Sequence, residues 1–452
     1  MCIRDRGVGS GAQIISPELK TAGDLLVLLR IRRDNDLLPD FEDLKEQYSR
    51  LHEDIAAGRV KSAYALQRHG LSEAVAKMAF GNRLGASLKP DLCEDLLFAP
   101  GWCSLLLEVP KEARVALKVR GEEIGAVTEE QVLTCGAIRI PLEEAEKAYR
   151  GTLESVFPTR TEETERKALS QCCYGGGEVR ILKERVARPH VFIPVFPGTN
   201  CEYDSARAFQ RAGATVSAPI FRNLTPQDIM DSVECYRKEI RKAQIVMFPG
   251  GFSAGDEPEG SAKFFATVFR NQVIREEIQA LLSERDGLML GVCNGFQALI
   301  KLGLVPDAHI KEQTEHAPTL AMNTIGRHIS RMVSIKVVSH LSPWLRGAEL
   351  GGVYANAASH GEGRFVAPEE TIRMLMERGQ IATQYCDPDG EVTMDESWNP
   401  NGSYCAIEGI TSADGRIYGK MAHPERIGTY VNINIPQRQD MKIFESGVAY
   451  FR

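Results

Sequence analysis

The sequence predicts an α/β protein: a parallel-sheet domain forms its C-terminal part and a smaller α+β module precedes it. Three observations predict this. From residue 188 onward, apolar runs alternate with amphipathic helical stretches, as a parallel sheet with crossover helices requires. Two of those runs, residues 245–248 and 288–290, stop abruptly in glycine-rich turns. Such turns belong at the carboxyl edge of a sheet, where open α/β proteins place their sites. The N-terminal third instead carries short apolar runs around two helical patterns.

Taken in order, residues 1–11 are polar and glycine-rich and carry no periodicity, so they read as foreign to the fold or disordered. Gly7-Val8-Gly9-Ser10-Gly11 is not a dinucleotide fingerprint, because no strand precedes it. Residues 24–29 (Asp-Leu-Leu-Val-Leu-Leu) form a strand. Residues 41–55 are an acidic helix with Leu44 and Leu51 toward a core. In the helix over 70–80, Leu71, Ala74, Val75, Met78 and Ala79 share one face. Residues 102–109, 115–119 and 137–140 read as further strands. Residues 159–170 are charged without an apolar stripe and read as a connector. After Gly175-Gly176-Gly177, Arg188-Pro189 leads into Val191-Phe192-Ile193-Pro194-Val195, the first strand of the second domain. The expected division is therefore 1–11 as a non-native-looking start, 12–158 as the first module, 159–187 as linker and 188–452 as the second domain.

Composition narrows the class. A chain of 452 residues with 43% hydrophobic and 25% charged content has room for two or three soluble domains. A net charge of −7 gives no electrostatic footprint for nucleic acid. No apolar stretch is long enough to cross a bilayer. Arg4 and Arg6 lead into a Gly/Ser stretch rather than the apolar core of a signal peptide. Eleven cysteines without framework spacing fit a reducing cytoplasm. No zinc-type spacing is present, so no metal site is expected.

The chemistry concentrates in three segments. Leu288-Met289-Leu290-Gly291-Val292-Cys293-Asn294-Gly295-Phe296-Gln297 is a strand, a sharp turn and a helix, the geometry that presents a nucleophile. Cys293 then sits at a helix N-terminus, where the partial positive charge favours thiolate. In His423-Pro424-Glu425, an extended backbone puts His423 and Glu425 on one side, so the carboxylate can hold the imidazole in one tautomer. Cys293, His423 and Glu425 thus offer nucleophile, base and orienter. Ile245 through Phe248 run into Pro249-Gly250-Gly251, and a peptide N–H of Gly250 or Gly251, with that of Asn294, forms an oxyanion hole. Cys201, between Asn200 and Glu202, is not read as the nucleophile, because neither elbow nor base accompanies it.

These segments join Val195-Phe196-Pro197-Gly198-Thr199-Asn200-Cys201-Glu202 with Asp204, Pro249 through Asp256, and Ser359-His360-Gly361-Glu362-Gly363-Arg364. Together they resemble the class I (triad) glutamine amidotransferases and, more narrowly, the glutaminase domain of the phosphoribosylformylglycinamidine synthase family in its large, single-chain form. The resemblance covers roughly residues 188–452 and rests on the order and spacing of five motifs; Ala422 is a small departure from the family pattern. It implies a flavodoxin-like sheet, a cytoplasmic ligase of purine biosynthesis, and glutamine hydrolysis through a Cys293 thioester. By the same resemblance, Phe252, Gln297, Ser359, His360, Gly361 and Glu362 hold glutamine. A structural or interdomain place for His360 is the competing reading.

Residues 62–82 and 97–101 are similar to the second half of an aminoimidazole-ribonucleotide-synthetase-like module, which precedes the glutaminase domain in that family. His69-Gly70-Leu71 holds one glycine where the family often has two. The resemblance implies no cofactor in the glutaminase domain. It places formylglycinamide ribonucleotide, ATP and Mg2+ mainly in upstream synthetase modules, which are the implied partners. The chain is then expected to be the C-terminal portion of a larger synthase. The alternatives are a catalytically silent or gated docking module and another cysteine hydrolase on a similar fold.

Overall fold

The computed structural model describes residues 11, 14–34, 36, 38–92, 94–159, 173–176, 185–252 and 261–452. The expectations for residues 1–10, for most of the connector and for residues 253–256 lie outside the described residues. The chain divides into two compact units, Met1–Val156 and Phe157–Arg452.

The first unit runs β1 (Leu25–Leu29), α1 (Phe41–Ala56), β2 (Ser62–Ala65), α2 (Gly70–Asn82), β3 (Gly85–Leu88), α3 (Glu94–Phe98), β4 (Leu105–Val109), β5 (Glu122–Thr128), β6 (Val132–Cys135), β7 (Ile138–Pro141) and α4 (Leu142–Gly151). Its seven-stranded sheet has the order β2-β4-β1-β5-β3-β6-β7, antiparallel except for β3 against β6. The Leu-Leu-Val-Leu-Leu run of β1 has no polar face, so both sides must be covered. Leu26 and Leu28 pack in one core with Leu71, Ala74, Val75 and Met78, the expected face of α2. Val27 and Leu29 pack in another with Leu51 of α1, Val60, Leu107 and Val109. Asp40 caps α1 by accepting from the N–H groups of Glu42 and Asp43.

Two strand expectations need correction here. Residues 115–119 are not a strand: Lys111–Ala116 is a 3₁₀ turn. The N–H groups of Lys118 and Val119 donate at 3.0 Å to the buried Asp54 carboxylate, which takes the place of a neighbouring strand. The strand expected over 102–109 begins only at Leu105, and Trp102 is exposed.

In the second unit the order is β8 (His190–Phe192), α5 (Glu202–Arg211), β9 (Thr215–Ser217), α6 (Pro226–Lys242), β10 (Ile245–Phe248), α7 (Lys263–Phe269), α8 (Gln272–Ser283), β11 (Leu288–Val292), α9 (Asn294–Leu302), the short α10 (Leu304–Asp307), β12 (Thr319–Met322), β13 (Ile329–Val337), β14 (Val353–His360), β15 (Glu362–Val366), α11 (Glu369–Glu377), β16 (Ile381–Tyr385), β17 (Ile407–Thr411), β18 (Ile417–Lys420) and α12 (Ile443–Ala449). A nine-stranded sheet has the order β14-β13-β16-β17-β18-β11-β10-β8-β9. The last five of these are parallel. Numbered by their appearance in the chain, the parallel strands lie 2-1-3-4-5, the flavodoxin-like order. Beyond β18 the sheet continues antiparallel through β17, β16, β13 and β14, an extension the periodicity did not announce.

Register positions the site. Phe248 of β10 pairs with Gly291 of β11, and Val292 pairs with Lys420 of β18. The turns after these three parallel strands therefore emerge side by side at one sheet edge. Helix α9 lies close against β10, since a Cβ at Gly295 would fall 1.9 Å from the carbonyl oxygen of Phe248. Only glycine permits that approach. Among the described residues, no helix is long and apolar enough to cross a membrane.

Candidate active site

Cys293 lies between β11 and α9, at the N-cap of the helix. Its backbone lies at φ 52°, ψ −110°, a conformation that non-glycine residues adopt at a cost. Neighbours hold it there. The Cys293 N–H donates to Lys420 O at 2.9 Å, and Cys293 O accepts from the N–H groups of Phe296 (2.9 Å) and Gln297 (3.1 Å). The side chain is 5% exposed, and its thiol faces Ser359 O at 3.6 Å. This is the elbow expected from the sequence.

His423 and Glu425 follow β18 and are both buried. The His423 Nδ1 is 2.6 Å from Glu425 Oε1, and the His423 N–H donates to Ala357 O at 2.8 Å. The other ring nitrogen, Nε2, is buried without a hydrogen-bond partner. Burial alone would raise the Glu425 carboxyl, but the adjacent imidazole outweighs it and holds the group below the usual carboxylate range.

Gly250, just past β10, fills the space between these groups. A Cβ there would lie 2.7 Å from His423 Cε1, 3.1 Å from Cys201 Sγ and 3.4 Å from Cys293 Cβ. Gly251 takes φ 141° and pairs with Thr199, so the loops after β8 and β10 are tied together beside the cysteine.

The expected glutamine-holding residues divide into two groups. Phe252 is 37% exposed, and its ring lies 6.1 Å from that of His328. Ser359 is half-buried; its carbonyl faces the thiol and its hydroxyl is 3.1 Å from His328 Nε2. Gln297, His360, Gly361 and Glu362 are buried. Gln297 accepts from Asn294 Nδ2 (2.8 Å) and donates to Glu362 O (2.6 Å), and the Glu362 carboxylate accepts from Ser261. His360 has no exposed surface and is covered by Gly363, with its Nδ1 3.2 Å from Asn323 Oδ1. Burial, then the neighbouring His423 and His328, hold its imidazole down to about 3, so it is neutral at physiological pH. In this conformation His360 backs the site rather than lining it.

Cys201 requires a correction, because a base does accompany it: its Sγ lies 3.9 Å from His423 Nδ1. The two residues are 222 apart in the chain, and no local pattern links them. Cys201 faces Asn200 Oδ1 at 3.0 Å and accepts from Arg426 at 3.1 Å. Burial, reinforced by Glu425, pushes its thiol up to about 11, so at neutral pH it is the protonated, unreactive form. Cys201, His423 and Glu425 also offer ligand atoms within 4.8 Å of one another. A cation there is opposed by the Arg426 guanidinium on the sulfur and by the Nδ1–Glu425 bond.

Sequence reasoning also missed Lys420 and Glu408, a pair with no exposed surface beneath the histidine. A single charge inside each apolar strand, Ile417–Lys420 and Ile407–Thr411, was the available signal.

Residues 188–451 match the sequence model of a family described as "CobB/CobQ-like glutamine amidotransferase domain". A protein from Methanococcus maripaludis called "Phosphoribosylformylglycinamidine synthase subunit PurQ" is 34% identical over 285 residues, 58% of this chain and 97% of its own. A protein of the same description from Aquifex aeolicus is 34% identical over 234 residues, 52% of this chain and 89% of its own. Among solved structures, "Structure of PurLQS from Thermotoga maritima" shares 26% identity with a TM-score of 0.42, over 59% of this chain and 100% of that one.

Proposed function

Because this chain belongs, through residues 188–451, to the CobB/CobQ-like glutamine amidotransferase family, we propose that Cys293, His423 and Glu425 are its glutaminase triad. Its role as the glutamine amidotransferase of phosphoribosylformylglycinamidine synthase, a glutamine-hydrolysing ligase of purine biosynthesis, follows from relatives that match over 89% and 97% of their own length. One observation supports the triad above all. Glu425 holds Nδ1 of His423, Nε2 is buried without a partner, and Gly250 brings the ring and Cys293 to either side of one point.

In the proposed reaction, rotation of the thiol away from Ser359 O presents it to His423 Nε2, which takes the proton. The thiolate attacks the side-chain amide carbon of glutamine. The developing oxyanion meets backbone N–H groups of Gly250 or Gly251 and Asn294, each donor contributing roughly 3–4 kcal/mol. The imidazolium returns its proton to the departing nitrogen, and ammonia leaves. Neutral His423 then activates water, which cleaves the γ-glutamyl thioester to glutamate and regenerates the thiol. Two easier steps replace one difficult one, and only protein groups and water take part.

Phe252 and Ser359 line the substrate space from outside, while Gln297, His360, Gly361 and Glu362 shape it from behind. The ammonia is consumed in the ATP-dependent conversion of formylglycinamide ribonucleotide to formylglycinamidine ribonucleotide. ATP and Mg2+ belong to the synthetase half, the proposed partner, to which residues 12–158 contribute a module. The enzyme is cytoplasmic.

Gly250→Ala tests the packing on which this reading depends. The new methyl displaces His423 from Cys293, and a misplacement of about 1 Å costs on the order of 100-fold in rate. Glutamate release by a folded Gly250→Ala protein is expected to fall by about that factor; a wild-type rate contradicts the arrangement.

A further inference from the structure

Beneath the proposed base lies an ion pair that the triad chemistry does not use. Lys420 Nζ is 3.1 Å from Glu408 Oε1, and neither side chain has any exposed surface. Dehydrating two charges carries a large penalty, and apolar replacements of similar volume often match or exceed the stability of such pairs. Stability alone is thus a poor reason for the pair to be there.

Its hydrogen bonds converge on one residue. Lys420 Nζ donates to Ala422 O at 2.6 Å, and the Ala422 N–H donates to Glu408 Oε1 at 2.8 Å. The residue preceding His423 is therefore gripped at both its carbonyl and its N–H. The next N–H, that of His423, is fixed on Ala357 O at 2.8 Å. Thr383 of β16 completes the grip by donating to Glu408 Oε2 at 2.6 Å. The same Lys420 accepts from the Cys293 N–H through its own carbonyl, at 2.9 Å. One residue thus touches the backbone of the nucleophile with its carbonyl and the backbone leading to the base with its side chain.

We propose that Lys420 and Glu408 are positioning residues that set His423 against Cys293 by clamping Ala422. The proposal rests on the triad reading. The pair touches neither substrate nor the reacting atoms; it acts through the backbone between β18 and the imidazole. Burial holds the Lys420 ammonium below the usual lysine range, against the pull of Glu408 and Glu425. A compact cation with three donors nevertheless serves both Glu408 and Ala422 O in a way an apolar side chain cannot.

The test is steady-state glutamine hydrolysis by the full chain carrying Lys420→Met with Glu408→Gln. Removing both charges together avoids a lone buried ion. In the folded variant, kcat is expected to fall roughly 30- to 100-fold while KM for glutamine stays within about threefold, because geometry and not substrate binding is lost. Wild-type kcat in a folded double variant overturns the proposal. Should that protein not fold, Thr383→Val, which removes the hydroxyl that donates to Glu408 and also lies 3.2 Å from Tyr418 Oη, is expected to lower kcat by about three- to tenfold. Thr383→Ser should restore it, and equal kcat in Thr383→Val, Thr383→Ser and wild type overturns the proposal. Cys293→Ala, assayed in parallel, separates the two claims. If it retains hydrolysis, the triad falls and the pair's role with it; if it is inactive while the double variant is normal, the triad stands and the pair's role is gone.

Discussion

Cys293→Ala is expected to abolish glutamine hydrolysis, with a fall in kcat of about 10⁴-fold or more, while the fold is kept. The magnitude follows from the two-step mechanism: without sulfur there is no thioester, and residual rate comes only from binding and the oxyanion donors. The fold should survive because the elbow is held by backbone bonds. Cys293 N–H to Lys420 O and Cys293 O to the N–H groups of Phe296 and Gln297 are all indifferent to the side chain. The φ of 52° is no harder for alanine than for cysteine. A thermal midpoint near wild type together with undetectable glutamate release is the expected pair of readings. Appreciable turnover would assign the chemistry to another group, and Cys201, 3.9 Å from the imidazole, is the obvious one.

Glu425→Gln is expected to come second, with a loss of about 10⁴-fold in kcat and little change in KM. The carboxylate lies 2.6 Å from His423 Nδ1, where it accepts a hydrogen bond from an Nδ1–H and so favours the tautomer with Nε2 free of hydrogen. A glutamine amide in its place donates to Nδ1, which drives the proton to Nε2 and removes the base. Shape and volume are conserved, so the effect isolates tautomer and charge. Stability carries its own sign. Because the Glu425 carboxyl is held low in the folded protein, its contribution is complete above the ordinary carboxylate range and disappears as pH falls through the lowered value. The difference in unfolding midpoint between Glu425→Gln and wild type should therefore shrink on acidification. A variant with near-wild-type kcat at neutral pH would show that Glu425 does not set the tautomer.

The proposed nucleophile and its proposed partners stand out in the sequence because each lies in a short segment with its own physical signature. Leu288–Val292 is a wholly apolar strand, and its sudden ending in Cys293-Asn294-Gly295 leaves little besides an elbow. His423 and Glu425 are two apart and needed no long-range knowledge. The parallel strands were readable from apolar runs separated by helices. The antiparallel β13, β14, β16 and β17 were not, because nothing local fixes how strands join a sheet. Residues 115–119 have the composition of a strand, yet Asp54, more than 60 positions earlier, captures their N–H groups. The partnership of Cys201 with His423, the burial of His360 beneath Gly363, and the Lys420–Glu408 clamp are likewise tertiary facts. In sequence they are a cysteine without an elbow, a histidine in a plausible loop and two charges in apolar strands.

The proposed chemistry turns on the question of which of the two cysteines beside His423 is the nucleophile. Alkylation of the purified chain by a diazo-ketone analogue of glutamine, followed by peptide mass mapping, answers it directly. A single adduct on Cys293 that excess glutamine prevents, with Cys201 unmodified, is the expected result. An adduct on Cys201, or none on a folded protein that hydrolyses glutamine, would contradict it.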